Sequence, residues 1–234
     1  MHIPEGYLGP QTYGAAYAVM APIWVIAGRM VERTLSARMV PLLAIGAAFS
    51  FVIMMFNIPV LGGSTGHATG AALIAILLGP WAATLAVSVV LAVQALLFQD
   101  GGITALAANC LNMGVVLPFS SYAVYRLLAL RAPVRSLRRT LAAGVAGYVG
   151  LNLAAVTTAI MFGIQPLIAR SADGRPLYCP FGLSVAVPAM AAEHLLLFGF
   201  VEGIVTAVAL AYLARTEPEL VAGKAAPVAE GGTP

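Results

Sequence analysis

Charged residues are scarce in this chain. Asp, Glu, Lys and Arg make up 9% of its 234 residues, whereas about 25% is usual for a soluble domain. Hydrophobic residues make up 61%, and the mean hydropathy is +0.94. This balance excludes an ordinary soluble domain and predicts a membrane protein that crosses the bilayer several times. The length suits a single bundle, without a second catalytic domain.

Cysteine and lysine are also rare. Cys110 and Cys179 are too few for a disulfide framework and form no CxxC metal motif, so we interpret both as small packing residues. Lys224 is the only lysine, and the sequence contains no GxxxxGK(S/T) phosphate-binding loop. Any ATP-driven step must therefore depend on another protein. The net charge of +3 does not indicate nucleic-acid binding, because the basic residues lie beside apolar spans.

A signal peptide is also missing, since no basic n-region and apolar h-region precede a cleavage site. We therefore expect the chain to keep Met1, which is normally retained before a residue as bulky as His2. The α-amine, the backbone amide of His2 and its imidazole then offer three nitrogens to one metal ion in fused chelate rings. The Pro4-Glu5-Gly6 sequence favours a turn that folds the terminus back. The alternative is that His2 is an ordinary second residue.

Apolar stretches divide the chain into helices. They cover residues 12–30, 39–58, 70–78, 80–98, 103–130, 140–163 and 187–214. All but 70–78 are long enough for a hydrocarbon core of about 30 Å. The short stretch ends at Gly79-Pro80, which either breaks one span or reverses the chain between two helices.

The basic residues decide between these possibilities. With a reversal and an outside N-terminus, ten of the twelve Lys and Arg residues lie inside, and only Arg170 and Arg175 lie outside. One broken span would leave five inside. The sequence therefore predicts an all-α membrane protein with seven helices, an outside N-terminus and a cytoplasmic C-terminus. Residues 1–215 are expected to form one membrane domain, and 216–234 a short, disordered cytoplasmic tail.

This topology predicts a deep position for His67. A helix over residues 67–78 is about 18 Å long, so it reaches the cytoplasmic face only from near the midplane. The loop before it must dip into the bundle from outside, where protein or a cavity has to cover its backbone. His67 would there meet Met1 and His2, and a planar set of four nitrogens favours Ni(II) or Cu(II) over zinc. The alternative is a structural, hydrogen-bonded histidine.

Several motifs resemble the CbiM/NikM family, the substrate-binding S components of energy-coupling factor transporters for cobalt and nickel. They are Met-His-Ile-Pro-Glu-Gly-Tyr-Leu-Gly-Pro at 1–10, Gly-Gly-Ser-Thr-Gly-His at 62–67, Gln-Asp-Gly-Gly-Ile-Thr-Ala-Leu at 99–106, Asn-Cys-Leu-Asn-Met-Gly at 109–114 and Tyr-Cys-Pro at 178–180. The resemblance implies that Met1, His2 and His67 bind Ni²⁺ or Co²⁺ as a transported substrate, with no permanently bound cofactor.

The resemblance also implies partners in a bacterial or archaeal cell membrane. These are a membrane T component (CbiQ/NikQ-like) and a pair of cytoplasmic ATPases (CbiO/NikO-like). Some members add a small accessory membrane protein (CbiN/NikN-like), which would here be a separate chain. Small residues at Gly14/Ala18 and Gly199/Gly203 either dock the T component or pack inside the bundle.

Other polar residues are candidates for a supporting role around the metal. Glu5 either orients His2 or is a solvated turn residue, while Asn109 and Asn112 either bond the metal-binding loop or link helices. Glu193, His194 and Glu202 are ionisable groups within the last span and therefore functional suspects. Glu193 and Glu202 are nine residues apart and are not expected to form a carboxylate pair.

Two other functions remain as alternatives. Residues 62–66 match the GxSxG pattern of serine hydrolases, but that motif needs a strand before it, and none is expected here. A metal permease that works without ATPase partners is the stronger alternative. Uptake of metal by this chain expressed alone would favour the permease.

Overall fold

Helices make up most of the chain in the computed structural model, which describes residues 1–60 and 64–223. A short 3-10 turn, Ala37–Met39, precedes the second helix. In chain order the helices are α1 Pro10–Thr34, α2 Val40–Met54, α3 Ala71–Leu78, α4 Pro80–Val93, α5 Leu106–Asn109, α6 Leu117–Ala129, α7 Leu137–Gly163, α8 Gln165–Ile168, α9 Leu183–Glu193, α10 Gly199–Thr216 and α11 Pro218–Val221.

Wider π-helical turns extend or join some of these helices. Gln94–Phe98 continues α4, Cys110–Val116 joins α5 to α6, and His194–Phe198 joins α9 to α10. A π turn adds a residue to the helix and so changes which side chains face inward. Each of the three contains a buried polar side chain, namely Gln94, Asn112 and His194.

The structure confirms a mostly helical membrane protein. Among the described residues, four helical stretches are long and apolar enough to cross a bilayer: Pro10–Thr34, Pro80–Phe98, Leu137–Ile168 and Leu183–Thr216. The helix Val40–Met54 is apolar but shorter. Buried small and apolar side chains from α1, α4, α7 and α9 meet in one core cluster, which also includes Met1 and Ile3.

Gly79 separates α3 from α4, where the sequence predicted an interruption. Its φ of +90° lies outside the helical region, and Pro80 starts α4 at a position that needs no backbone N–H. The two helices pack against each other. This contact fits a reversal of the chain better than one kinked span.

The segment before α3 differs from the prediction. Strands β1, Ile58–Val60, and β2, Ser64–Gly66, form an antiparallel hairpin in which Ile58 pairs with Gly66. The expectation that this region lacks a strand is therefore wrong. So is the expected helix over 67–78, because α3 begins at Ala71 and extends about 12 Å. Residues 61–63, with the two glycines of the motif at 62–67, lie outside the described residues.

Backbone conformation explains the late start of α3. Gly70 precedes it with a φ of +68°, in the left-handed region that interrupts a helix. The carboxylate of Glu202, on α10, also accepts hydrogen bonds from the N–H groups of Thr69 and Gly70. The pattern of apolar residues carries no sign of either constraint.

Arginines hold the other end of the bundle together. Arg135 donates to the carbonyls of Ala214 and Arg215 at the end of α10, and Arg139 donates to that of Val221. Such bonds satisfy carbonyl groups that a helix end leaves without partners. The expected tail thus includes the helical turn α11, which packs against α10. Residues 224–234 of that tail, including Lys224, lie outside the described residues.

The two pairs of small residues have different surroundings. A Cβ atom on Gly203 would lie 2.7 Å from the carbonyl oxygen of Gly144, and one on Gly199 would lie 2.4 Å from Nδ2 of Asn152. The Gly199/Gly203 pair therefore packs inside the bundle, against α7. A Cβ on Gly14 would meet nothing within 4 Å, so the Gly14/Ala18 face of α1 is open.

We expect Gly203→Ala to destabilise the protein by about 1–3 kcal/mol, because the added methyl group must push α10 away from the backbone of α7. Thermal unfolding in detergent measures this change. Gly14→Ala is the matched control, since the same substitution in open space should be neutral or stabilise α1 by up to about 1 kcal/mol. Equal destabilisation by both variants would contradict this account of the α7–α10 contact.

Candidate metal centre

The N-terminal segment is buried inside the bundle. Met1 and Ile3 are 0% exposed and His2 is 3% exposed. The backbone of Ile3 is paired on both sides: its N–H donates to Oδ1 of Asn109 at 2.8 Å, and its carbonyl accepts from the N–H of Gly102 at 2.8 Å and from Nδ2 of Asn109 at 3.3 Å. Both backbone groups of Ile3 are thus hydrogen-bonded to neighbouring segments, as in a β-strand.

The structure brings Met1, His2 and His67 together. The α-amine of Met1 donates to the carbonyl of Thr65, in strand β2. The rings of His2 and His67 stack, with their centroids 4.6 Å apart and their planes at 26°. His67 is 0% exposed. A site predicted from two distant parts of the sequence is therefore compact in space.

A hydrogen bond orients each imidazole. Nε2 of His2 is hydrogen-bonded to Oε1 of Gln94 at 3.2 Å, and the carboxylate of Asp100 lies near the other ring nitrogen, with Oδ1 3.3 Å from Nδ1. Nδ1 of His67 lies 3.0 Å from the carbonyl of Ala68, so this nitrogen carries the proton. Nε2 of His67 then has a free lone pair, and nothing in the described part of the chain hydrogen-bonds it.

Burial keeps these nitrogens unprotonated. Desolvation lowers the pKa of the Met1 α-amine from 8.0 to about 5, although the negative charge of Asp100 opposes the shift. Desolvation, followed by repulsion from the amine, lowers the pKa of His2 to about 3. The same two causes hold the pKa of His67 well below 6.5. At neutral pH the amine and both rings are therefore neutral bases that can bind a cation.

Side chains alone do not form a metal site here. Residues 1–60 and 64–223 contain no group of three or more His, Cys, Asp or Glu side chains placed to hold an ion. A metal ion near His2 and His67 would therefore need donors other than these side chains. The terminal amine and the backbone nitrogens of the first two residues are such donors.

The predicted supporting residues have separate partners. Asn109 holds the backbone of Ile3, next to His2. Asn112 donates from Nδ2 to the sulfur of Met161 at 3.4 Å, which links it to α7. Glu5 is exposed, and its carboxylate accepts from Oγ1 of Thr104 at 2.5 Å and from the N–H of Thr104 at 3.1 Å. Glu5 thus fastens the N-terminal turn to the loop before α5.

Two contacts of the His2 ring were not predicted from the sequence. Gln94 is a buried amide within the apolar stretch 80–98, a signal that could have identified it. Asp100 lies in the motif at 99–106, beside an apolar helix end. Nothing in the sequence indicated that either residue would contact His2.

Glu202 holds the segment that follows His67. Its buried carboxylate accepts from the N–H of Thr69 at 2.5 Å, from the N–H of Gly70 at 3.1 Å and from Oγ1 of Thr69 at 3.2 Å. The sequence marked Glu202 as a functional suspect but provided no partner for it. His194 is buried nearby, with Nδ1 2.8 Å from the carbonyl of Met190.

Relatives of this chain include metal transport proteins. Residues 2–220 match the CbiM family, described as the cobalt uptake substrate-specific transmembrane region. The fused nickel transport protein NikMN of Rhodobacter capsulatus is 53% identical over 229 residues, covering 98% of this chain and 66% of that protein. A putative metal transport protein of Methanocaldococcus jannaschii is 45% identical over 225 residues, covering 96% of each chain.

A solved structure has the same fold. It is a crystal structure of a truncated transition metal transporter, with a TM-score of 0.88 and 49% identity, and the match covers 92% of this chain and 99% of that one. The fold is thus that of a helical membrane protein, similar to a solved transition metal transporter. More narrowly, the chain belongs to the CbiM/NikM family, and it spans 66% of the length of its fused R. capsulatus relative.

We expect Glu202→Ala to destabilise the protein by about 1–3 kcal/mol for each buried N–H group that it leaves without an acceptor. The N–H groups of Thr69 and Gly70 both donate to Oε2 of Glu202, so the truncation removes the acceptor of both. Thermal unfolding in detergent measures the change, and Glu219→Ala, on the exposed turn α11, is the control. If both variants unfold like the parent protein, Glu202 does not hold the loop.

Proposed function

We propose that the chain binds Ni²⁺ or Co²⁺ at its N-terminus and is the substrate-specific component of an energy-coupling factor transporter that takes up the ion. One observation carries this proposal: the buried α-amine of Met1 lies beside strand β2, and the rings of His2 and His67 stack next to it. We propose both metals because the family description names cobalt and the R. capsulatus relative is named for nickel.

Four nitrogens form the proposed set of ligands. They are the Met1 amine, the deprotonated backbone amide of His2, Nδ1 of His2 and Nε2 of His67. Imidazole and amine nitrogens suit late first-row divalent ions, and a planar set favours Ni(II). Such ions also promote loss of the amide proton, which Mg²⁺ and Ca²⁺ do not.

Gln94 and Asp100 support this assignment. The oxygen of the Gln94 amide can only accept, so Nε2 of His2 carries the proton and Nδ1 keeps its lone pair. Nδ1 is also the ring nitrogen that reaches a metal bound to its own backbone. Asp100 lies 3.3 Å from Nδ1, and its negative charge balances the single positive charge left when a divalent ion replaces the amide proton.

The proposal includes a seven-helix topology with the metal centre outside and the arginine-rich end inside. Arg126, Arg135 and Arg139 lie at the end of the bundle opposite the N-terminus, in agreement with the positive-inside rule. The proposed location is a bacterial or archaeal cell membrane. The proposed partners are a T component and an ATPase pair, plus an accessory membrane protein, since the R. capsulatus relative is a fused protein.

The hydrolase alternative finds less support in this fold. Strand β2 is followed by His67 and a non-helical segment up to Gly70, whereas a nucleophile elbow passes directly from strand to helix. Relatives are named as transport proteins. The stand-alone permease remains a second candidate, which the following experiment separates.

His2→Leu should abolish stoichiometric binding of Ni²⁺ or Co²⁺. The substitution removes the imidazole that closes the second chelate ring, and the bulky second residue keeps Met1 in place, so affinity should fall more than about tenfold. Metal analysis and calorimetry of the purified protein measure the loss. Asp173→Ala, in an exposed loop, is the control and should bind like the parent protein.

Stoichiometric binding by His2→Leu would contradict the chelate. Uptake of radioactive metal is measured in the same cells with and without co-expressed T component and ATPases. Uptake that needs these partners supports the S-component proposal. Equal uptake without them favours the permease and leaves the metal site unaffected.

Binding of Ni²⁺ at pH 7 should release about one proton per ion, from the backbone amide of His2. The buried amine has a pKa of about 5, so it is already neutral and releases none. A synthetic peptide of residues 1–6 is the control, because an exposed amine with a pKa near 8.0 is mostly protonated at pH 7 and releases nearly one proton more. Calorimetry in buffers of different ionisation enthalpy counts the protons. Equal release by protein and peptide would contradict a neutral, buried amine.

A further inference from the structure

A polar cavity lies at the end of the bundle opposite the metal centre. Its volume is about 560 Å³, and it opens between the α3–α4 turn, the end of α6 and the start of α7. Residues 221–223 close one side. It is therefore formed where helices end, at the level of the lipid headgroups in a membrane-spanning bundle.

Phenol and guanidinium groups line this headgroup cavity. Tyr125 is 6% exposed, and its hydroxyl has no hydrogen-bond partner in the described part of the chain. Nε of Arg139 is buried and equally without a partner there, although its Nη1 donates to Val221. Arg126 and Arg131 complete the basic lining, and Arg126 donates to the hydroxyl of Tyr122 at 3.1 Å. Buried donors without partners indicate a missing acceptor.

Arginines carry the charge of the headgroup cavity. Among the described residues, its lining contains three arginines and neither Asp nor Glu. Across the described residues, no arginine forms an ion pair within 4.0 Å. A planar guanidinium is well suited to phosphate oxygens, which it binds through two N–H groups. The cavity thus fits an anion with several acceptor oxygens.

An apolar groove adjoins the headgroup cavity. Leu77 and Leu78 line both spaces, and the groove, of about 230 Å³, continues between α2, α3 and α10. Ile45 and Tyr212 along it are 64% and 65% exposed on the outer surface of the bundle. A ligand that fills both spaces must combine an anionic head with a hydrocarbon chain. A free phosphate or a nucleotide has no hydrocarbon chain to fill the groove.

We propose that this site binds an anionic phospholipid. The phosphate lies among Arg126, Arg131 and Arg139 and accepts a hydrogen bond from Tyr125, while one acyl chain follows the groove past Leu77 and Leu78. The lipid joins the α3–α4 turn to the α6–α7 connection, two parts of the chain that are far apart in sequence. The site goes beyond the proposed transport of metal, and it does not depend on that function.

The test uses the full chain purified in detergent, with phosphatidylglycerol added as the anionic lipid and phosphatidylcholine as the zwitterionic one. Native mass spectrometry measures binding, and thermal unfolding measures stabilisation. We expect phosphatidylglycerol to bind preferentially. The double variant Arg126→Gln/Arg131→Gln should bind it about tenfold more weakly, because two charged donors are lost, with binding of phosphatidylcholine unchanged.

Two further variants make the test specific. Tyr125→Phe removes only the hydroxyl without a partner, so it should weaken phosphatidylglycerol binding while the protein alone stays as stable as the parent. Arg138→Gln removes a charge from the same end of the bundle, where Arg138 is exposed and outside the headgroup cavity. It should leave the affinity unchanged.

Three results would overturn the proposal. Equal loss of affinity in Arg138→Gln and in the double variant would show diffuse attraction to the basic end of the protein. Equal binding of phosphatidylcholine would show that the charge of the lipid is irrelevant. Stabilisation by glycerol phosphate or inorganic phosphate as strong as that by the lipid would show an anion site without a role for the apolar groove.

Discussion

Burial of the N-terminus is the constraint on which the rest of this structure depends. A charged amine in the interior would carry a large desolvation penalty, so the terminus can enter only as a neutral base. The backbone behind it must also find partners away from water, which Asn109 and Gly102 provide at Ile3. What remains is a neutral amine beside two stacked imidazoles. The neutral nitrogens that burial requires are thus also the kind of donor that suits a late first-row divalent cation.

The loop that brings His67 to the terminus obeys a similar constraint. Non-helical backbone inside an apolar bundle needs a partner for each N–H group. Pairing between β1 and β2 satisfies part of the loop, and the carboxylate of Glu202 takes the N–H groups of Thr69 and Gly70. Glu202 belongs to α10, the last long helix. A displacement of that helix would therefore move the backbone next to His67.

The two ends of the bundle are chemically opposite. One end gathers nitrogen bases beside the carboxylate of Asp100. The other gathers arginines that cap helix ends and line the headgroup cavity. This asymmetry satisfies the positive-inside rule and also separates the functions proposed for each end. The intervening core is made of small and apolar residues, with α7 and α10 in close contact at Gly144 and Gly203.

The sequence by itself determined the helical membrane class and the interruption at Gly79-Pro80, because composition and apolar stretches report burial directly. It also predicted that Met1, His2 and His67 meet, from the placement of the basic residues and from the family motifs. Only the tertiary structure decided where α3 begins, that a hairpin precedes it, and which partners Gln94, Asp100, Glu5 and Glu202 have. Polar partners depend on how distant helices pack and on the π turns that rotate their faces. A local pattern identifies a buried polar side chain, but only packing brings its partner within hydrogen-bond distance.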